Sequence, residues 1–396
     1  MKKVTYIDGV DIKNKSVLLR VDYNVSLNGD RSKIANDARI VQSLPTIKYL
    51  LKKKNKLILI SHLDRPIKRD LKNSLKVVVG RLRHYLPGIN VKLIDDFLTE
   101  DKKTFEDQKK DEVLLLENIR FYPEEKNNDL EFAKKLAKLG DIYVNDAFAV
   151  SHRTEASIVG IPNFLPSYGG LLLKSEVEMI GEVIKKPKRP LIVIIGGAKI
   201  STKISLIKKL AEIADYVLVG GKLANVFFCA QKKPVGKSSC EYEMVQKVRQ
   251  LIYLFAQKNS SIVIPTDVLV GDPKNIKNGG IIKRIGEDIP SDMSILDIGP
   301  ETKAKFGSLI AKAKTILWNG PVGFFENPNY RHGTDFIYYS IAHNSDANSV
   351  VGGGNTLGAI SKKEYLNKIK HVSTGGGAML EFIENGTLPG IDSLKK

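Results

Sequence analysis

The sequence predicts an α/β protein made of two Rossmann-like lobes, each a mostly parallel sheet flanked by helices, joined by a long interdomain helix and hinge. Three observations predict it. Strand-sized apolar runs alternate with helical patterns in two series along the 396 residues. A Pro- and Gly-marked pause and one long helical stretch separate the series. No short repeat runs through the chain, which excludes a solenoid. At about 100–200 residues per domain the length asks for two or three domains, each able to bury its own core.

In the first series, Ser16–Val25 reads as strand, Ala35–Lys54 as helix, Lys56–Ser61 as strand, Leu71–Leu86 as helix and Asn90–Asp95 as strand. Glu112–Glu117 and Asp141–Phe148 continue as strands around a helix over Asp129–Leu139. The rhythm pauses across Ser151–Pro166, which holds Gly160, Pro162 and Pro166, and a long helix follows over Gly170–Lys185. After the turn-rich Lys185–Pro190, strands are expected at Leu191–Ile195, Tyr216–Val219, Ser261–Pro265, Ile295–Ile298, Thr315–Trp318, Ser349–Val351 and His371–Ser373. The boundaries that result are a first domain over 1–168, an interdomain helix over 169–186, a second domain over 187–379, and a tail over 380–396 that returns to the first domain.

Apolar residues at 42% and charged residues at 27% give the balance of a soluble folded chain, not of a disordered one. Runs such as Val113–Leu116 fall far short of the roughly 18 residues of a membrane span. Met1-Lys2-Lys3 is followed by Val4–Asp8 and not by a signal-peptide apolar stretch, so a cytoplasmic location is expected. Cys229 and Cys240 are the only cysteines, without metal-ligand spacing, so free thiols in a reduced compartment are expected and a zinc site is not. The formal charge of +18 points to anionic partners, whether nucleic acid, an acidic surface or phosphorylated small molecules. Charge alone does not choose among them. The lysines of Lys48–Lys56 and Ser361–Lys370, mixed with apolar residues at helical spacing, read as solvated faces.

Five strand ends in the second half carry glycine: Gly196-Gly197-Ala198-Lys199, Gly220-Gly221-Lys222, Asn319-Gly320-Pro321-Val322-Gly323, Gly352-Gly353-Gly354-Asn355-Thr356 and Gly375-Gly376-Gly377. Glycine beyond the carboxyl ends of parallel strands lets phosphate oxygens approach backbone N–H groups, so a phosphorylated ligand, read as a nucleotide, fits. Two familiar phosphate loops are excluded. Val235-Gly236-Lys237-Ser238 lacks the glycine at 231 of a Walker A loop, and Leu357 stands where GxGxxG needs its last glycine. Lys199 and Lys203 are expected one helical turn apart at the start of a Ser201–Ala214 helix, where two ammoniums repel unless an anion sits between them.

The first half instead gathers cations at strand ends: Arg20, His62 and Arg65, Arg120, and His152-Arg153, with Arg39 opening a helix. Guanidinium forks at a sheet edge suit a small ligand bearing carboxylate and phosphate groups.

The strings Arg20–Val25, Leu44–Ile47, Ser61–Pro66, Glu117–Phe121, Gly196–Lys199, Asp297–Thr302, Trp318–Gly323 and Ser373–Ala378, taken in order, resemble the phosphoglycerate kinase family, and the match runs from about residue 4 to 390. The resemblance implies reversible transfer of the acyl phosphate of 1,3-bisphosphoglycerate to ADP, giving 3-phosphoglycerate and ATP. It implies a first domain for the phosphoglycerate, a second for Mg-ADP or Mg-ATP, and hinge closure, with a monomer expected; no membrane partner is expected, nor a nucleic-acid one, since no helix-turn-helix, zinc-finger or aromatic stacking signature occurs. Asp22, Asn24, Arg39, His62, Arg65, Arg120, His152 and Arg153 would bind substrate. Gly197, Lys199, Lys203, Gly220, Asn319, Pro321, Glu326, Gly353, Gly354, Asn355 and Thr356 would hold nucleotide. Arg39, Lys199, Gly354 and Gly377 would act on the phosphoryl group in transfer.

Four departures qualify the resemblance. Asn355 stands where the family has the aspartate that helps hold magnesium, so weaker Mg-nucleotide binding is expected. Glu155 replaces the usual histidine and sets a carboxylate beside an anionic pocket unless it pairs with Arg153 or turns outward. Asp64 replaces a glycine and Ser26 a proline, which puts the loop geometry in question. The rival reading is a catalytically weakened nucleotide- or anion-binding relative.

Overall fold

The computed structural model describes residues 3–275, 279–360 and 362–395. Its chain groups into two compact units, residues 1–178 with 387–396, and residues 179–386.

The first unit opens with β1 (Ser16–Arg20) and a short antiparallel pair, β2 (Ser26–Leu27) with β3 (Ile34–Asn36). It continues with α1 (Ala38–Lys52), β4 (Lys56–Ile60), α2 (Lys76–Tyr85), β5 (Asn90–Ile94), α3 (Lys102–Glu106), β6 (Glu112–Leu116), α4 (Pro123–Lys126), α5 (Leu130–Ala137), β7 (Ile142–Asn145) and β8 (Ser167–Gly169). Among the described residues the sheet has six strands, all parallel, in the order β5-β6-β4-β1-β7-β8. The inner strands β1, β4 and β6 are buried at every position after the first, as strands covered on both faces must be, while edge strand β5 buries only Val91 and Ile94. On α1, Ile40, Leu44, Ile47 and Leu50 recur at helical spacing and are buried in this core.

Two expectations are corrected here. The strand expected to reach Val25 ends at Arg20, because side chains satisfy the backbone beyond it: Tyr23 N–H donates to Ser61 Oγ at 2.7 Å and Asn24 N–H to Asp22 Oδ1 at 3.0 Å. The helix expected from Ala35 starts at Ala38, since Ile34–Asn36 is used in β3. The pause over 151–166 holds short helical turns and leads into β8, a three-residue strand too short to show a period.

α6 (Leu171–Lys185) spans the division between the units. The second unit runs β9 (Leu191–Ile195), α7 (Ile204–Ile213), β10 (Tyr216–Val219), α8 (Lys222–Ala230), α9 (Val245–Gln257), β11 (Ser261–Val263), β12 (Asp267–Gly271), β13 (Ile281–Arg284), β14 (Ser294–Ile298), α10 (Pro300–Lys312), β15 (Thr315–Asn319), α11 (His332–Ala342), β16 (Asn348–Gly352), α12 (Gly354–Ala359), β17 (His371–Ser373) and α13 (Gly376–Asn385). Its parallel sheet has the order β11-β10-β9-β15-β16-β17. Numbered within the sheet, that is 3-2-1-4-5-6, the dinucleotide-fold order; the first unit reads 3-4-2-1-5-6. Trp318 is fully buried in this core with Phe306, Ile337 and Tyr338.

Ile295–Ile298, expected in the parallel series, belongs to β14 of a separate antiparallel sheet ordered β13-β12-β14. The β12–β13 connection over 272–280 is too short for a helical crossover, so only antiparallel pairing is open to it. Ser361, where a lysine-rich helix was expected to begin, lies outside the described residues, and Lys363–Lys368 forms a 3₁₀ helix instead. α13 extends to Asn385, and the chain then rejoins the first unit through α14 (Pro389–Asp392), where Gly390 N–H donates to the Ser151 carbonyl at 2.8 Å. No helix among the described residues is long and apolar enough to cross a membrane.

Candidate functional site

In the first unit the chemistry-bearing residues follow the carboxyl ends of four adjacent strands: Asp22 and Asn24 after β1, His62 and Arg65 after β4, Arg120 after β6, and His152 and Arg153 beyond β7. Arg39 enters from the first turn of α1 and is ion-paired with Asp22. Asp22 Oδ1 lies 3.9 Å from His62 Nδ1, and Arg20 Nη2 approaches the same nitrogen at 3.4 Å. Burial, followed by the nearby Arg20, Arg120, Arg39 and Arg153, pushes the His62 pKa well below the usual imidazole range, so the ring is neutral. Arg65 is exposed and has no hydrogen-bond or ion-pair partner among the described residues.

A scaffold that sequence reading missed holds these groups. Arg20 is fully buried at the end of β1 and donates through Nε to Ser157 Oγ at 2.8 Å. Ser157 in turn donates its hydroxyl and its N–H to the buried Glu125, at 2.5 and 2.8 Å. Burial raises the Glu125 carboxyl to about 7, against the opposing pull of Arg20. Glu117 accepts from Ser74 Oγ, Leu75 N–H and Asn118 N–H and so ties the loop after β6 to the start of α2. The glutamates that do this work were legible only as charges in the sequence, because their side-chain partners Ser74 and Ser157 lie 43 and 32 residues away.

The four departures take definite places. Asp64 adopts the left-handed backbone, φ 57°, that glycine favours, and an aspartate tolerates it. Its N–H donates to Asn24 Oδ1 at 2.9 Å, its carbonyl accepts from Arg120 Nη1 at 2.7 Å, and its carboxylate pairs with Arg31 at 2.5 Å. The loop geometry therefore survives the loss of glycine. Ser26 sits in β2. Glu155 is buried and accepts from Arg120 Nη2 at 3.0 Å and Arg153 Nη1 at 3.3 Å, so it pairs with both arginines. Asn355 is the second residue of α12 and lines a cavity.

That cavity, about 450 Å³, lies in the second unit at the carboxyl ends of β9, β10 and β15, with Gly197, Gly221, Phe228, Pro321, Glu326 and Asn355 in its wall. It sits at the β9/β15 neighbour pair, where the strand order reverses. Main chain builds this edge. Gly196 N–H donates to the Asn319 carbonyl at 3.0 Å and Gly197 N–H to the Pro321 carbonyl at 3.1 Å. A Cβ on Gly196 would collide with the Pro321 and Gly320 carbonyls, and one on Gly220 would come within 2.6 Å of Val322. At Gly354 and Gly377, by contrast, a Cβ would meet nothing within 4 Å, so the fold does not explain why those two lack side chains.

Asn319 and Thr356 lock the loops together. Asn319 Nδ2 donates to the Gly352 carbonyl at 2.8 Å, and Thr356 Oγ1 accepts from Gly320 N–H at 2.7 Å while donating to the Gly352 carbonyl at 2.9 Å. Gly353, with φ 112°, precedes α12. Lys203 Nζ donates to the Gly196 carbonyl at 2.7 Å and Asn319 Oδ1 at 2.8 Å, and burial lowers its pKa to about 8. The helix expected from Ser201 begins at Ile204, so Lys199 and Lys203 do not share a helical turn. Glu241 accepts from the N–H groups of Ile200 and Ser201 and holds that stretch as a non-helical turn. Lys199 is exposed, and its ammonium has no hydrogen-bond partner among the described residues.

The two cysteines are free thiols, and among the described residues no group of three or more His, Cys, Asp or Glu is placed to hold a metal.

Comparison with known proteins agrees across the chain. A family model described as phosphoglycerate kinase matches residues 7–386. The chain is 42% identical to a phosphoglycerate kinase of Dictyoglomus turgidum, covering all of both proteins, and 41% identical to one of Moorella thermoacetica, covering 100% of this chain and 99% of the relative. Among solved structures, phosphoglycerate kinase from Coxiella burnetii aligns with a TM-score of 0.88 at 38% identity, over 99% of this chain and 98% of that one. The enzyme from Pyrococcus horikoshii gives 0.82 at 31% identity, over 98% of both.

Proposed function

The chain belongs to the phosphoglycerate kinase family, and from that premise we propose how its residues divide the work of the reaction. The activity is reversible phosphoryl transfer between 1,3-bisphosphoglycerate and ADP, a step of glycolysis: the acyl oxygen–phosphorus bond breaks and a bond from a terminal ADP oxygen to phosphorus forms. A catalytically weakened binding protein is not favoured, since full-length relatives at 41–42% identity carry the enzyme's name.

The first unit takes the phosphoglycerate. Arg65, Arg120 and Arg153 supply guanidinium donors to its phosphate and carboxylate, the rings of His62 and His152 add N–H donors, and Asp22 and Asn24 meet its hydroxyl. The observation that carries this is unused donor capacity: among the described residues Arg65 has no hydrogen-bond or ion-pair partner, and Arg120 Nε and Arg153 Nε are buried with no hydrogen bond. The second unit takes the nucleotide. Gly197, Gly220, Pro321, Gly353 and Glu326 shape its seat, Asn319 and Thr356 hold the loops, and Lys203 exchanges carbonyl contacts for phosphate oxygens. Arg39 and Lys199 neutralise the phosphoryl group in transfer, and Gly354 and Gly377 leave their N–H groups open to it, which accounts for glycine where the fold leaves room for a side chain.

Magnesium fits as a companion of the nucleotide. Its hard-oxygen preference is met by phosphate oxygens together with the Asn355 amide oxygen in the cavity wall, without a carboxylate cage. When bound, it offsets charge on the phosphate oxygens. The protein acts in the cytoplasm as a monomer, without membrane or nucleic-acid partners. A coupled assay with 3-phosphoglycerate and ATP over a magnesium titration tests this reading: turnover that saturates with all three is expected, and no turnover at saturating magnesium overturns it.

A further inference from the structure

Glu155 is a buried acidic group of the cationic edge to which the reaction gives no task. Its side chain is 6% exposed. One oxygen lies 3.0 Å from Arg120 Nη2 and 3.3 Å from Arg153 Nη1, and the other 3.4 Å from Arg120 Nη2. Arg120 gives its remaining terminal nitrogen to the Asp64 carbonyl. Each of the two guanidiniums thus has an edge bound to Glu155 and a buried Nε with no hydrogen bond among the described residues. A ligand anion and Glu155 draw on the same two cations.

We infer that Glu155 is a specificity-determining counter-anion, which an incoming ligand must outcompete at Arg120 and Arg153. This rests on the substrate reading above. The physical reason is the cost of buried charge. Without an acid, the buried Arg120 and the partly buried Arg153 would be uncompensated cations, and any small anion would relieve them. With Glu155 present that gain is already taken. Inorganic phosphate, whose contacts are confined to a single group, has little left to win. A ligand that also reaches Arg65, His62 and Asn24 keeps those further contacts and binds in spite of the competition. Glu155 lowers affinity for every anion, and for the smallest ones most.

The test uses the full chain without nucleotide. Calorimetric titrations of 3-phosphoglycerate and of inorganic phosphate are run on the unmodified protein and on Glu155→Gln. The expected result is phosphate binding tightened by about tenfold, 3-phosphoglycerate binding tightened by less, and a corresponding fall in the ratio between them. In the coupled assay the gain falls in KM for 3-phosphoglycerate and not in kcat. If Glu155→Gln gives no cooperative thermal transition, Glu155→His carries the same test at pH 8, where histidine is neutral. Weakened or unchanged affinity for both anions overturns the inference, since it makes Glu155 a prop for the arginines, yet it leaves the substrate reading intact. Failure of the unmodified chain to bind 3-phosphoglycerate removes both.

Discussion

The two units build the carboxyl edges of their sheets from different materials. At the carboxyl edge of the first sheet the work falls to side chains, and nearly every cation there is matched by an acid: Arg39 by Asp22, Arg120 and Arg153 by Glu155, Arg20 through Ser157 by Glu125. At the carboxyl edge of the second sheet the work falls to backbone, with glycines packed carbonyl against carbonyl and Lys203 bound to neutral oxygens. A side-chain edge can be tuned one charge at a time, because each pair is separable. A main-chain edge resists tuning, because each residue there also holds up its neighbour.

The comparison can be broken at its strongest point first. Arg39→Ala is expected to lower kcat about a thousandfold in the coupled assay, measured on protein that still unfolds cooperatively in urea, since charge neutralisation of a transferring phosphoryl is worth that order. Gly196→Ala is expected to do the reverse in kind: it costs about 3 kcal/mol or more of stability because backbone carbonyls must move, as read by urea unfolding.

A subtler test concerns the acid behind Arg20. Glu125 has a folded pKa of about 7 against an ordinary value of 4.5, so the folded chain holds a proton that the unfolded chain releases. Stability therefore falls as pH rises from about 4.5 to 7, by about 3 kcal/mol for this group, and is flat above. Glu125→Gln should remove that share of the slope in urea midpoints compared at pH 5 and pH 7.5. Asp146 and Asp297, likewise raised to about 7 by burial, leave a residual slope of the same sign.

Asn355→Asp restores a unit charge at the nucleotide edge and should tighten Mg-ADP binding about tenfold by calorimetry while leaving magnesium-free ADP no tighter. The smallest effect is expected at Asp64→Gly. Relief of the left-handed backbone and loss of the half-exposed pair with Arg31 oppose each other, so stability should shift by no more than about 1 kcal/mol in thermal melts.

Much of this was legible in the chain before any coordinates. The inner strands announce themselves as unbroken apolar runs because both faces are covered, and the glycine-bearing turns after β9, β10, β15 and β16 mark one sheet edge by composition alone. What stayed hidden is non-local or aperiodic. β13 is exposed along most of its length and so has no apolar face to betray it. The true start of α7 depends on Glu241, roughly forty residues on in sequence. Arg20, Ser157 and Glu125 assemble across spans of 32 and 137 residues, and Glu155 looks like an intruder among cations until both of its partners are seen.

Residues 387–396 seat Leu388, Ile391 and Leu394 in the first unit and exchange hydrogen bonds with Ser151 and Asn145, although the whole second unit precedes them in the chain. During synthesis the unit that starts first is consequently the one that finishes last. Until residues 387–395 are made, the apolar seat that Leu388, Ile391 and Leu394 fill in the first unit has no cover from this part of the chain.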